Sequence, residues 1–355
     1  MSDTFSGVKQ VDARQRIDEA ALGNWLAANL PGYGGPLQIM QFKGGQSNPT
    51  YRLDTPARSY VLRRKPFGTL LPSAHAVDRE YRLISALGST GFPVPRAFAL
   101  CEDPGVIGAM FYVMEAVPGQ VHWDGSLPQL DAPARRAVYD AMIRTLAQLH
   151  GIDPGPIGLG DYGRPGNYFT RQVQRWTKQY RASETAVIDA AERLMEWLPR
   201  TVPEQARLSI VHGDYRIDNL IFQTPVVGAP PRLAAVLDWE LSTLGDPLAD
   251  FSYLLMQWIL PADGRSGLHG LDLPGLGIPT VEEAIALYCS LTDRDGLPAL
   301  DWYFAYNLFR LAAILQGVAG RVRDGTAASE QATEMATRAP KLAEASWQFA
   351  LRAGA

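Results

Sequence analysis

The chain has 355 residues, of which 46% are apolar and 20% charged, a composition that excludes a disordered, coiled-coil or collagen-like protein and suits one or two packed lobes. Lys and Arg number 33 against 37 Asp and Glu, a net charge of -4 that leaves no global basic field for nucleic acid. Cys101 and Cys289 have no Cys or His at zinc spacing and cannot build a disulfide framework, which points to a reducing compartment. Residues 1–35 carry Asp3, Asp12, Asp18 and Glu19 and no apolar leader core. The longest charge-free apolar run, Phe251 to Leu260, is too short to cross a bilayer. The chain therefore reads as soluble and cytoplasmic, with no membrane or nucleic-acid partner.

In chain order, Ile17, Ala21, Leu22, Trp25 and Leu26 predict an amphipathic helix over 12–30, ended by Pro31-Gly32. Strands are predicted at 37–42, 51–53 and 60–63, the first two separated by the loop Lys43-Gly44-Gly45-Gln46-Ser47-Asn48-Pro49. A helix follows over 73–87 with Gly88 as its stop, then strands at 98–101 and 110–115. Beyond Pro118-Gly119 the pattern turns helical: 132–150, one long helix over 169–198, then 247–260, 281–291, 301–323 and 328–352, with Val236 and Leu237 ending a short strand. An α+β architecture results, with an N-terminal helical extension (1–34), a small β-rich lobe (35–117) and a larger α-rich lobe (118–355). The gap between such lobes is a common ligand site.

Chemistry concentrates in Ile210-Val211-His212-Gly213-Asp214-Tyr215-Arg216-Ile217-Asp218-Asn219-Leu220-Ile221-Phe222 and in Ala234-Ala235-Val236-Leu237-Asp238-Trp239-Glu240. Apolar strands flank a polar loop in the first; in the second an apolar strand delivers a carboxylate at its end. Phosphoryl transfer asks for this set: one carboxylate at the attacking hydroxyl, and oxygen ligands for Mg²⁺, a hard ion that retains several waters. Asp214 can serve the hydroxyl; Asn219, five residues on, and Asp238, nineteen further, can serve the metal. His212 reads as a structural loop residue, and Asp246 and Asp250 as backbone braces and caps for the following helix. Glu240 is open between the metal and solvent.

The first lobe supplies matching parts. Tyr60-Val61-Leu62-Arg63 ends in a basic run, and alternation puts Val61, Arg63 and Lys65 on one face, Leu62 and Arg64 on the other. Either Arg63 or Lys65 can meet the α- and β-phosphates. Val77, Glu80, Ile84 and Leu87 recur at spacings of three and four, which stacks Glu80 inside an apolar stripe, where an acid needs a cation. Gly44 and Gly45 let backbone N–H groups approach phosphates, and Ser47 and Asn48 add donors, though without a Gly-Lys-Ser/Thr motif the stretch reads equally as an ordinary hairpin loop.

His212-Gly213-Asp214, Asn219 and the strand-end Asp238 resemble the catalytic loop and metal-binding segment of the aminoglycoside-phosphotransferase and choline-kinase group, which has a protein-kinase-like two-lobed fold. Leu244-Gly245-Asp246-Pro247-Leu248-Ala249-Asp250-Phe251 also matches that group, and an Ala-Pro-Glu activation segment is absent. The resemblance implies Asp214 as catalytic base, Asn219 and Asp238 as Mg²⁺ ligands, and a helix Glu, here Glu80, paired with the phosphate-binding cation. By position that cation is Arg63, where protein kinases have Lys. It also implies a hinge at Phe111–Gly119 whose backbone at Glu115 to Val117 would hold the adenine of ATP.

Leu71-Pro72-Ser73-Ala74-His75-Ala76-Val77-Asp78-Arg79-Glu80-Tyr81 and Cys101-Glu102-Asp103-Pro104 look closest to the branch fused to, or encoded beside, acyl-CoA dehydrogenases. That branch implies a hydroxyacyl-CoA as acceptor. The expectation is an ATP- and Mg²⁺-dependent O-phosphotransferase acting on a small-molecule hydroxyl. The alternative is a nucleotide-binding pseudokinase or scaffold. From residue 261 on, 11 acids face 8 bases, a balance that names no acceptor.

Overall fold

Residues 7–43, 48–68, 75–164, 166–223, 230–263, 266–325 and 332–355 are described by a computed structural model. Its first layer is an antiparallel sheet of six strands: β1 (Val8–Lys9), β2 (Gln38–Phe42), β3 (Thr50–Asp54), β4 (Ser59–Arg64), β5 (Ala97–Cys101) and β6 (Phe111–Glu115), in spatial order β1-β2-β3-β4-β6-β5. Helices α1 (Glu19–Asn29) and α2 (Val77–Gly88) lie on opposite faces. Alternation along β4 assigns the faces: Tyr60 and Leu62 join α1 with Phe111 and Val113, while Val61 joins α2 with Tyr112 and Met114. This is why β4 is buried from Tyr60 to Arg64 without a break. Arg64 follows Leu62 and bonds Tyr51 and Gln15; Arg63 follows Val61 toward α2.

Two expectations change here. The first helix begins at Glu19, because the Asp18 side chain caps it by accepting from Ala21 N–H at 2.9 Å. With β1 and α1 packed on the sheet, the segment expected as a separate extension is part of the first lobe. Helix α2 begins at Val77, short of the expected 73; residues 71–74 lie outside the described set.

The second lobe contains α3 (Ala132–Gly151), α4 (Tyr168–Ser183), α5 (Asp189–Trp197), α6 (Leu248–Ile259), α7 (Leu273–Leu276), α8 (Val281–Leu291), α9 (Asp301–Arg323), α10 (Ala332–Ala336) and α11 (Ala339–Arg352). The single helix expected over 169–198 is broken into α4 and α5. Gln316 of α9 donates to the Ser183 carbonyl at 2.8 Å and closes the end of α4, a tertiary contact no periodicity reveals. In the segment expected as one helix over 328–352, residues 328–331 lie outside the described set and the rest holds two helices, α10 and α11. Short strands frame the polar loops: β7 (Gln120–Val121), β9 (Leu220–Phe222) and β10 (Leu233–Val236) form one ladder, and β8 (Ser209–Val211) pairs with β11 (Thr243–Gly245). One core runs from the α2 face of the sheet through the helices of the second lobe, so the lobes share apolar packing. Among the described residues no helix is long and apolar enough to cross a membrane.

Candidate active site

Pairing of β9 with β10 brings two distant polar residues together. Val236 faces Leu220, and the ladder extends one step further, Leu237 N–H donating to the Asn219 carbonyl at 2.8 Å. Asn219 and Asp238 thus emerge side by side from the ends of neighbouring strands. Asp238 has φ 64 and ψ 62, a left-handed conformation uncommon for a residue with a Cβ, which Asp tolerates better than most. Asn219 turns its amide nitrogen to Asp214, donating to the carbonyl at 2.9 Å and to Oδ2 at 3.1 Å. Its Oδ1 is the end that can face a hard cation.

The loop carrying Asp214 is clamped from below. Asp250 of α6 accepts from His212 N–H at 2.6 Å and Gly213 N–H at 2.8 Å. Both ring nitrogens of His212 are engaged by backbone: Asp214 N–H donates to Nδ1 at 3.1 Å, so Nε2 carries the proton and donates to the Leu237 carbonyl at 2.8 Å. His212 ties the two segments together and has no free nitrogen for proton transfer. Gly213 has φ +86, and a Cβ there would stand 2.7 Å from the Leu241 carbonyl. Asp246 accepts from Leu248 N–H at 2.9 Å and supports the start of α6.

Around Asp214 stand Arg216, Tyr253 and Arg310, none of which the sequence analysis singled out for the site. Arg216 Nε lies 3.9 Å from Asp214 Oδ2 while its other end pairs with Asp218. Burial pushes the Asp214 carboxyl up, but the charges of Arg216 and Arg310 and the hydroxyl of Tyr253 outweigh it, and the group is held below the usual carboxylate range. Arg310 carried a signal in the sequence, as a lone cation interrupting an apolar helix. Tyr253 carried none, since a buried tyrosine in α6 looks like core.

From the first lobe Arg63 reaches the same place. Its Nη2 contacts Asp238 Oδ1 at 2.7 Å and Glu240 Oε2 at 3.2 Å, and its Nε stands 3.2 Å from Glu80 Oε2 without the alignment of a hydrogen bond. Burial pushes the Glu80 carboxyl up to about 7 against the pull of Arg63, and the charges of Asp238 and Glu240 push the same way. Three carboxylates around one guanidinium leave excess negative charge. Lys65 turns away to Asp78 on α2, at 3.4 Å. Asn48 is buried, donates to Glu240 at 3.4 Å and meets His75 Nδ1 at 3.0 Å. Glu240, left open by the sequence, belongs to this cluster. Gly44, Gly45 and Ser47 lie outside the described residues. Glu115 and Val117 border a cavity of about 470 Å³ that Val94, Pro118, Gln223, Leu233 and Ala234 also line.

The model of the phosphotransferase enzyme family matches residues 38–287. Mouse acyl-CoA dehydrogenase family member 10 is 46% identical over 344 residues, covering 95% of this chain and 32% of that protein. Human acyl-CoA dehydrogenase family member 11 is 38% identical, over 98% of this chain and 45% of that one. The chain thus spans less than half the length of these relatives. A Ralstonia eutropha crystal structure, assigned to the aminoglycoside phosphotransferases, superposes with a TM-score of 0.85 at 47% identity, covering 95% of this chain and 99% of the other. Choline kinase from Cryptosporidium parvum, at 12% identity and a TM-score of 0.61, shares the fold over 95% of this chain and 97% of its own.

Proposed function

Since the chain belongs to the phosphotransferase enzyme family, a class of small-molecule kinases with a hydroxyl acceptor, we propose that it transfers the γ-phosphoryl group of ATP to an alcohol through Asp214. The observation that supports this most is the meeting of Asp214, Asn219 and Asp238 at one strand pair, with Arg63 of the other lobe 2.7 Å from Asp238. In this reading ATP lies between the lobes, its adenine toward Glu115 and Val117. Arg63, braced by Glu80, meets the α- and β-phosphates, and Gly44, Gly45, Ser47 and Asn48 are the further candidates for binding them. Asn219 Oδ1 and the Asp238 carboxylate are hard oxygen donors that would hold Mg²⁺, and the ion would neutralise triphosphate charge. Among the described residues no group of three or more His, Cys, Asp or Glu could hold a metal ion, and this ion does not require one.

The acceptor hydroxyl approaches Asp214 in line with the γ-phosphate. Its oxygen forms the new bond to phosphorus, the bond to the ADP oxygen breaks, and the hydroxyl proton passes to Asp214. A carboxylate held ionised by its neighbours is a weak base. It suits a loose transition state, in which orienting the hydroxyl matters more than early proton removal.

The acceptor we propose is the hydroxyl of a hydroxyacyl-CoA. The relatives at 38% and 46% identity, named for acyl-CoA dehydrogenases, support that choice. A phosphotransfer assay across hydroxyacyl-CoAs, aminoglycosides, choline, homoserine and sugars tests it. Asp214→Asn is expected to lower turnover by about 10²- to 10⁴-fold while nucleotide affinity by calorimetry stays unchanged. Near-wild-type turnover in that variant removes Asp214 from the role. Nucleotide binding with no transfer to any acceptor favours a nucleotide-binding scaffold.

A further inference from the structure

Helix α9 carries a cation through the middle of the second lobe. Arg310 is 5% exposed, and Leu308, Phe309, Ala312 and Ala313 around it are buried. Its guanidinium donates to the Gly213 carbonyl, next to Asp214 in the chain. The same group lies 4.8 Å from the ring centre of Tyr253 and 5.5 Å from that of Trp176. Its Nε is buried with no hydrogen-bond partner, and no carboxylate lies within salt-bridge distance of it among the described residues. The acid whose charge it feels is Asp214. Tyr253, held by this stack, sets its hydroxyl beside both the Asp214 carboxylate and the Arg216 guanidinium.

Burying a guanidinium without a carboxylate partner is expensive, and a Leu or Met would fill this part of α9 at no such penalty. The arrangement also uses what distinguishes Arg from Lys: a planar face for stacking, and donors in a fixed fork. We propose that Arg310 is a positioning residue for phosphoryl transfer. From beneath the catalytic loop it fixes the Gly213 carbonyl and, through Tyr253, aims the Asp214 carboxylate at the incoming hydroxyl. The inference rests on the reading of Asp214 given above.

The test follows Mg·ATP hydrolysis, with water in place of the alcohol, in Arg310→Lys, Arg310→Met, Tyr253→Phe, the Met/Phe double variant and Asp214→Asn. Arg310→Met and Tyr253→Phe are each expected to lower kcat by about 10- to 100-fold, the effect of a small misplacement of a reacting group. KM for ATP and the calorimetric Kd for ATP should hardly move. Arg310→Lys, which keeps a donor but not the stack, should recover part of the lost rate. The double variant should be no slower than Arg310→Met, because the two residues act as one chain. Wild-type kcat in Tyr253→Phe overturns the proposal, and so does a loss in Arg310→Met confined to KM or to melting temperature. Should Arg310→Met not fold, Arg310→Lys and Tyr253→Phe decide. An Asp214→Asn enzyme as fast as wild type overturns the role of Asp214 itself. An inactive Asp214→Asn beside fully active Arg310→Lys and Tyr253→Phe overturns only the positioning role.

Discussion

Glu80 sits among Val77, Leu83, Ile84 and Leu87, with Arg63 as its cation and Asp238 and Glu240 as competitors for that cation. Its carboxyl is pushed up to about 7 from an ordinary value of 4.5, chiefly by burial. The sign follows from linkage: a raised value in the folded state means stability that is fully present below 4.5 and lost as pH rises through about 7. The melting temperature of the nucleotide-free protein should therefore fall over that interval, and the fall should be shallower in Glu80→Gln. Equal slopes in the two proteins would contradict the assignment. Removing the carboxyl altogether leaves Arg63 its contacts with Asp238 and Glu240 but no partner beside Nε, so Glu80→Ala should destabilise by about 1–3 kcal/mol in denaturant melts.

Among the elements, the join between the lobes is tightly constrained. Gly119 has φ +154, between β6 and β7, and a Cβ there would collide with the Ile221 side chain and the Phe222 carbonyl on β9. The backbone of the join thus lies against the strand that leads out of the loop carrying Asp214, where only hydrogen fits. Gly119→Ala should lower stability by about 1–3 kcal/mol, the range for overpacking, and weaken nucleotide binding by displacing Glu115 and Val117. Unchanged melting and unchanged nucleotide Kd would show that the join can move aside. At this scale the sequence was legible wherever a local signal existed. Alternation placed Arg63 and Arg64 on opposite faces of β4, and helical spacing buried Glu80. It failed where an element ends through a distant contact, as α4 does at Gln316, or where a strand of three residues such as β11 exists only because β8 pairs with it.

For the molecule as a whole, Arg63 and Asn48 of the first lobe hold Asp238 and Glu240 of the second. A Mg²⁺-bound triphosphate would take over both partners of that bridge. It should raise the melting temperature, with a stabilisation of about 2.7 kcal/mol at a concentration one hundred times Kd. EDTA should remove most of that gain, and Asp238→Ala should show little of it with or without Mg²⁺. A nucleotide-induced shift indifferent to EDTA would remove Asn219 and Asp238 from the metal role.

By itself the sequence determined the two-lobed α+β plan, the polar loop between apolar strands, and the spaced Asp214, Asn219 and Asp238, because hydrophobic periodicity and strand-end polarity are local properties of the chain. Only the tertiary structure decided that Arg63 rather than Lys65 reaches Asp238, that Glu240 joins its cluster, and that Asp250, Tyr253 and Arg310 stand beneath the loop of Asp214. Those residues lie tens of residues from the groups they hold. Their roles arise from packing α6 and α9 against one loop, and contacts between remote segments leave no period in the sequence to read.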